Sequence, residues 1–150
     1  MTGRTRIHAL IFAVCFFTFV FFTTACGVDE RRSLPPAAQA AIDAVTDDIS
    51  AGRDEKLYDE AAAEWRANVS ADENKKILER VRTRLGKVES RAFHSGKEQQ
   101  NASGRLSGHA LEVVYQTTFE RGTAMEKFTL LEREGRWLLA GYSVSSEALK

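Results

Sequence analysis

One acidic residue of the sequence stands where a strand would turn its side chain toward the protein core. Glu126 is in phase with Phe128 and Leu130 in an alternating segment, so we expect its carboxylate to point inward. Buried carboxylates are rare unless a cation pairs with them, and Arg84 and Arg91 are the candidate partners. Glu126 is then either a general acid–base group in a pocket or, as is commoner, part of a structural ion pair or at an edge position that reaches solvent.

Two tyrosines and two histidines complete the set of side chains with useful chemistry. Tyr115 and Tyr142 belong to alternating segments, where they either donate hydrogen bonds into a pocket or serve as ordinary amphipathic strand residues. His94 and His109 flank a polar stretch, and neither has a second ligand at a short fixed spacing. The sequence therefore predicts no metal site, and no motif in it predicts a cofactor.

Three amphipathic helices are predicted ahead of these residues. Helices tolerate Pro in the first turn and commonly end at Gly, and the sequence "SADE" at 70–73 fits a capping box. Asp54 is expected to cap the second helix, and Ile77, Leu78, Val81 and Leu85 to share one apolar face of the third. These signals place the helices at 35–52, 54–65 and 70–86.

The hydrophobic period changes from helix to strand after Gly86. Alternating segments separated by short Gly-containing turns indicate antiparallel hairpins. The polar stretch at 96–108 lacks this alternation, so we expect a loop there. The predicted fold is α+β, with the three helices packed on a curved four-stranded antiparallel sheet. The four strands are expected at 87–95, 109–120, 124–134 and 137–145.

Two stretches of the chain resemble a known family. They are "RTRLGKVESR" and "VVYQTTFERGTAMEKFTLLEREGRWLLAGYSV", and in order and spacing they resemble the bacterial domain-of-unknown-function-4019 family of small exported proteins. The layout is also similar to cystatin-like and nuclear-transport-factor-two-like folds, in which a curved sheet wraps a helix and often holds a pocket. The resemblance implies a fold and export, and it implies no activity.

The N-terminus has the order of an export signal. A basic start with Arg4 and Arg6 precedes a long uncharged, mostly apolar run. The sequence "TTAC" at 23–26 then resembles the bacterial lipobox, which implies cleavage between Ala25 and Cys26 and attachment of diacylglycerol, a palmitate-type anchor, to the Cys26 thiol. Ordinary cleavage nearby is one alternative. An uncleaved signal anchor is another, because the apolar run is only slightly shorter than the ~20 residues of a spanning helix.

These features predict the organisation and location of the chain. Residues 1–25 form the leader, 26–34 the lipidated tether and 35–150 a single α+β domain. Cys26 is then the only thiol of the mature protein, and lipidation accounts for its lack of a disulfide partner. We expect a protein anchored in the bacterial cell envelope and facing the periplasm or the exterior. Gly27 resembles the residue found in lipoproteins sent to the outer membrane of cells with two membranes.

Composition argues against one class of partner and leaves three classes of function. Basic and acidic side chains number 21 each, so no net field attracts nucleic acid. We expect a non-catalytic binding or accessory module that contacts an envelope protein or a small ligand through the sheet's concave face or the 95–108 stretch. The alternatives are a small enzyme with an enclosed pocket around Glu126 and a structural subunit of an envelope complex.

Overall fold

The computed structural model describes residues 34–150. The predicted leader, the cleavage site after Ala25 and the lipidation site Cys26 lie outside the described residues. Within 34–150, no helix combines the length and the apolar character needed to cross a bilayer.

The described part of the chain begins with four α-helices, where the sequence predicted three. The predicted second helix is interrupted because Ala61 and Ala62 have extended backbone conformations, with ψ of 161° and 150°. The freed N–H of Ala62 donates to the carbonyl of Leu139 at 2.8 Å, so a contact with the sheet replaces a helical turn. The helices are α1 (Pro36–Ala51), α2 (Asp54–Glu60), α3 (Ala63–Arg66) and α4 (Ala71–Leu85).

The helix boundaries follow most of the sequence signals. The capping box is confirmed: the Glu73 N–H donates to Ser70 Oγ at 3.3 Å, and the Ser70 N–H donates to the Glu73 carboxylate at 2.9 Å. Gly52, with φ of 69°, ends α1 in the left-handed conformation. Two predictions were wrong. Asp54 is the first residue of α2 rather than its cap, and Ile77 is exposed rather than packed inward.

Four strands follow in the order β1-β2-β3-β4, each antiparallel to the next, as predicted. The polar stretch at 96–108 is mostly strand rather than loop, because β1 continues to pair with β2 as far as Asn101 opposite Gly108. Residues 96–101 have no apolar face, so backbone hydrogen bonds hold this part of β1 to β2. The strands are β1 (Val88–Asn101), β2 (Gly108–Phe119), β3 (Gly122–Arg133) and β4 (Arg136–Ser145), and a short 3₁₀ helix (Glu147–Leu149) closes the chain.

The helices cover one face of the sheet and create the main core. The opposite face carries polar pairs such as Glu112 with Lys127, whose charged atoms lie 3.3 Å apart. One packed and one solvated face is the usual arrangement of an antiparallel sheet in an α+β protein, and this fold class is confirmed. The core cluster includes Ala38, Ile42, Ile49, Leu57, Trp65 and Leu78 from the helical half, and Leu111, Val113, Tyr115, Phe128, Leu130, Leu139 and Tyr142 from the sheet.

Candidate functional site

The Glu126 carboxylate is completely buried in the layer between the sheet and the helices. Arg91 Nε donates to its Oε2 at 2.7 Å, and Arg91 Nη2 lies 3.5 Å from Oε1. The Thr117 hydroxyl donates to Oε2 at 2.5 Å, and the Tyr142 hydroxyl donates to Oε1 at 2.7 Å. Each carboxylate oxygen therefore accepts from one hydroxyl and one guanidinium nitrogen. We call these four residues the carboxylate network.

The sheet register brings the network together, with one member from each strand. Arg91 lies directly opposite Thr117 in the β1–β2 pairing. Glu126 lies opposite Tyr115 on β2, so Thr117, two residues further along, is its diagonal neighbour. The same offset relates Glu126 to Tyr142 on β4. Diagonal neighbours on one face lie within reach of long side chains, so strand pairing alone aligns the four polar groups.

The electrostatics of the network favour a fixed carboxylate. Burial raises the pKa of Tyr142 well above its ordinary value of 10.0, and the adjacent Glu126 charge raises it further. The phenol therefore stays protonated and donates its hydrogen bond. The Arg91 guanidinium supplies the matching positive charge through a side chain that is 18% exposed. With both oxygens occupied by protein donors, the carboxylate has no position left for a substrate, and the geometry is that of a structural ion pair.

Two of the proposed residues are not part of the carboxylate network, although Tyr115 lies directly opposite Glu126 in the β2–β3 pairing. The Tyr115 ring packs edge-on against Phe93 and Phe128, and its hydroxyl donates to Gln39 Oε1 on α1 at 3.1 Å. Arg84 is exposed in the last turn of α4, and no ion pair joins it to Glu126. Of the predicted residues, Arg91 and Tyr142 hydrogen-bond to the Glu126 carboxylate.

Sequence reasoning missed one member of the carboxylate network. Thr117 shares the inward phase of β2, and it is fully buried. A buried hydroxyl needs a hydrogen-bond partner, and this requirement could have identified Thr117 as a partner of the inward-pointing Glu126.

The histidines lie apart from the network. His94 is exposed on β1. His109 contacts Glu132 through Nδ1 at 2.6 Å and Glu98 through Nε2 at 2.5 Å, and its ring lies 4.8 Å from that of Trp137. The hydrogen bonds with Glu132 and then Glu98 raise the pKa of His109 above its ordinary 6.5. Because the carboxylates contact opposite ring nitrogens they do not converge, and no cluster of three metal-ligating side chains occurs within 34–150.

A cleft of about 330 Å³ opens beside the network, and Arg91 forms part of its wall. The residues come from α1, α4, β1, the connection between α4 and β1, and the end of β2. We call it the α1–β1 cleft. Its apolar side chains are Ile49, Val81, Val88 and Phe119, and its polar and charged ones are Ser50, Arg82, Lys87 and Arg91, with Gly86 between them.

Two further clefts border α1. The first, of about 250 Å³, adjoins the α1–β1 cleft at Val88 and Arg91, and it also contains Asp43 and Thr46. The second, of about 480 Å³, lies between α1, α2 and β4 and carries side chains of both charges. Its ionisable residues are Asp48, Asp59, Glu60, Arg66 and Arg136. Glu126 is not among the residues that line any of these three clefts.

Among the described residues, 34–150, only one of the three cations of the α1–β1 cleft has no acidic side chain as an ion-pair partner. Arg82 donates through both Nη atoms to the Asp54 carboxylate at 2.6 Å, and this hydrogen bonding raises the already high pKa of Arg82 further. Arg91 is paired within the network. The Lys87 side chain is exposed, and its ammonium makes no ion pair within the described part of the chain. The nearby Glu120 carboxylate accepts from the Lys87 backbone N–H at 3.0 Å.

Comparison with known proteins places the chain in a family. A family described as "Protein of unknown function (DUF4019)" matches residues 38–142. No curated protein matches the chain. The matched residues run from α1 to β4, so they include the complete carboxylate network and the complete α1–β1 cleft. Since the match covers well over half of the sequence, the chain belongs to the DUF4019 family.

Proposed function

We propose that the protein is a non-catalytic, lipid-anchored binding module of the bacterial cell envelope. Its α+β domain, of a cystatin-like or nuclear-transport-factor-two-like type, holds a small ligand in the α1–β1 cleft. The observation that carries this proposal is a preformed cleft of about 330 Å³ with an apolar side and a charged side. Small-molecule sites have this composition and begin at about 300 Å³.

The binding site that we propose differs from the surfaces that the sequence suggested. The helix-facing side of the sheet is filled by core side chains, and residues 96–101 are paired in β1. The α1–β1 cleft combines apolar side chains with the uncompensated charge of Lys87.

An enzymatic role for Glu126 has weaker support. A general base needs a free lone pair within hydrogen-bond reach of the substrate. Arg91, Thr117 and Tyr142 occupy both oxygens of the carboxylate. The ligand site of our proposal therefore lies next to the network, with Arg91 as the shared residue.

The envelope location is proposed from the sequence. A cationic start, an uncharged run and the lipobox-like "TTAC" support lipidation of Cys26. Cys26→Ser is expected to abolish incorporation of labelled palmitate and to leave the unprocessed precursor. Labelling and maturation unchanged from the wild-type protein would refute the anchor.

Binding is testable on protein purified from its own membranes. Ser50 is exposed in the cleft wall, so Ser50→Trp places a large ring over the opening. Ala51→Trp adds similar bulk at an exposed position outside the cleft and serves as the control. Mass spectrometry of solvent extracts is expected to find a small molecule with the wild type and with Ala51→Trp, and to find it depleted with Ser50→Trp. Identical extracts from all three proteins would contradict the proposal.

A further inference from the structure

We propose that the α1–β1 cleft selects amphiphiles with a single negative charge, of the medium-chain carboxylate type. This inference rests on the proposed function and specifies the ligand class for the same cleft. It combines two independent features, the apolar side of the cleft and the charge balance of its opening.

The apolar side of the cleft favours a ligand that has an apolar group. Ile49, Val81 and Phe119 are each less than 6% exposed, and Val88 is half-buried beside them. These side chains come from four parts of the fold, α1, α4, β1 and the end of β2, so the surface is fixed by packing. Removing apolar ligand surface from water there contributes about 25 cal/mol per Å². A sugar or a free phosphate would gain nothing from this surface.

The charges at the opening of the cleft favour a ligand with a single negative charge. Three cations line the cleft, and two of them are neutralised internally: Arg82 by Asp54, and Arg91 by Glu126. Lys87 remains, exposed at the connection between α4 and β1. The nearby Glu120 carboxylate accepts from the backbone N–H of Lys87, and the Lys87 ammonium itself makes no ion pair within residues 34–150. One uncompensated ammonium complements a monoanion, and a dianion would leave one charge without a partner.

Neither neighbouring cleft has this combination. The cleft of about 250 Å³ carries Asp43 in its wall, and an acidic side chain repels an anion. The cleft of about 480 Å³ contains three acidic and two basic side chains, so it has no excess of positive charge. The selectivity we propose therefore belongs to the α1–β1 cleft.

Equilibrium dialysis with three matched probes tests the proposal. The full-length protein is placed in nanodiscs of zwitterionic lipid, and empty discs measure partitioning into the bilayer. Decanoate, decanol and decylammonium share one chain and differ in charge. We expect saturable decanoate binding of about one per protein, with decanol at least about fivefold weaker, as the loss of one charge contact of about 1 kcal/mol implies. Decylammonium is expected not to exceed the empty-disc background.

Two variants assign the binding to the cleft. Lys87→Glu reverses the uncompensated charge and is expected to weaken decanoate binding at least about fivefold while leaving decanol unchanged. Lys76→Glu makes the same charge change on the exposed face of α4, away from the cleft, and is expected to bind decanoate like the wild type. Ser50→Trp is expected to reduce binding of both decanoate and decanol. Circular dichroism confirms that each variant is folded.

The outcomes separate this inference from the proposed function. Equal binding of decanoate and decanol, with both lost in Ser50→Trp, overturns the charge selectivity and leaves the binding module intact. Equal effects of Lys87→Glu and Lys76→Glu overturn the assignment to Lys87. Absence of saturable decanoate binding overturns the inference altogether. In that case the comparison of extracts from wild type and Ser50→Trp still decides whether the cleft holds another molecule.

Discussion

Arg91→Met is the substitution that most directly tests whether the buried carboxylate is structural. The change removes the cation 2.7 Å from Glu126 and retains most of the apolar volume of the arginine stem. The Thr117 and Tyr142 hydroxyls still donate to the carboxylate, and they bring no positive charge. The variant therefore leaves one buried, uncompensated negative charge behind an otherwise intact sheet.

The expected magnitude follows from the burial of the pair. Glu126 is 0% exposed and the Arg91 side chain 18% exposed, so solvent screens the pair weakly. Removing one partner of such a pair costs about 3–5 kcal/mol, from a total stability of about 5–15 kcal/mol. Glu126→Gln keeps the shape of the side chain and disturbs its hydrogen bonds, so we expect it to lower the unfolding free energy by about 1–3 kcal/mol.

The double variant separates charge from packing. In Arg91→Met/Glu126→Gln the uncompensated carboxylate is gone, so we expect a total cost no larger than that of Arg91→Met alone. The two substitutions are then non-additive by about 1–3 kcal/mol, in the range measured for contacting residues.

Urea unfolding followed by tryptophan fluorescence measures these energies. The two tryptophans, Trp65 and Trp137, are both buried, so they report loss of the core. Arg84→Met makes the same chemical change at an exposed position and is expected to stay within about 0.5 kcal/mol of the wild type. A loss below about 1 kcal/mol for Arg91→Met, or strict additivity in the cycle, would refute the structural interpretation.

Three further predictions concern the network, the histidine and a helix end. Tyr142→Phe removes the hydroxyl donor from Glu126 Oε1 and is expected to cost about 1–3 kcal/mol in urea unfolding. In the wild type, absorbance titration should show at least one tyrosine protonated until the fold is lost, because the pKa of Tyr142 is raised. The hydrogen bonds with Glu132 and Glu98 raise the pKa of His109. The stability that these hydrogen bonds contribute is therefore complete below pH of about 6.5 and is lost as the pH rises through the pKa of His109 in the folded state. Unfolding of His109→Gln should therefore differ from the wild type most at low pH, and a difference that grows with pH would contradict this. Ser70→Ala removes the acceptor for the Glu73 N–H and should lower the unfolding free energy by about 1 kcal/mol, measured against the exposed Ala67→Ser as control.

Local signals in the sequence predicted much of the fold. The capping box, the left-handed Gly52 and the alternation of β2, β3 and β4 depend on neighbouring residues only, and each appears where it was expected. The interruption of the second helix was missed because Ala strongly favours helix. Its cause is the hydrogen bond from Ala62 to Leu139, which joins residues far apart in the sequence.

The extent of β1 was also beyond local reasoning. Its second half is polar on both faces, so periodicity gave no strand signal there. Pairing with β2 nevertheless continues to Asn101, because the backbone of β2 supplies the hydrogen-bond partners. A strand of this kind is recognised only once its neighbour is known.

The candidate site, like the fold, could be predicted from the sequence only in part. The phase of β3 predicted that Glu126 points inward. The choice between Arg91 and Arg84 required the β1–β2 register, which places Arg91 opposite Thr117. The α1–β1 cleft was not predictable, because its residues come from separate elements and no motif connects them.

Amide chemical-shift mapping with decanoate tests binding at the α1–β1 cleft most directly. Isotope-labelled protein in nanodiscs is titrated with decanoate, and decylammonium serves as the charge control. Our account predicts that the amides shifted by decanoate alone cluster at Ser50, Arg82, Lys87 and Arg91. Shifts concentrated around Trp137 and Arg136, in the cleft of about 480 Å³, would contradict it, and so would the same shifts with decylammonium.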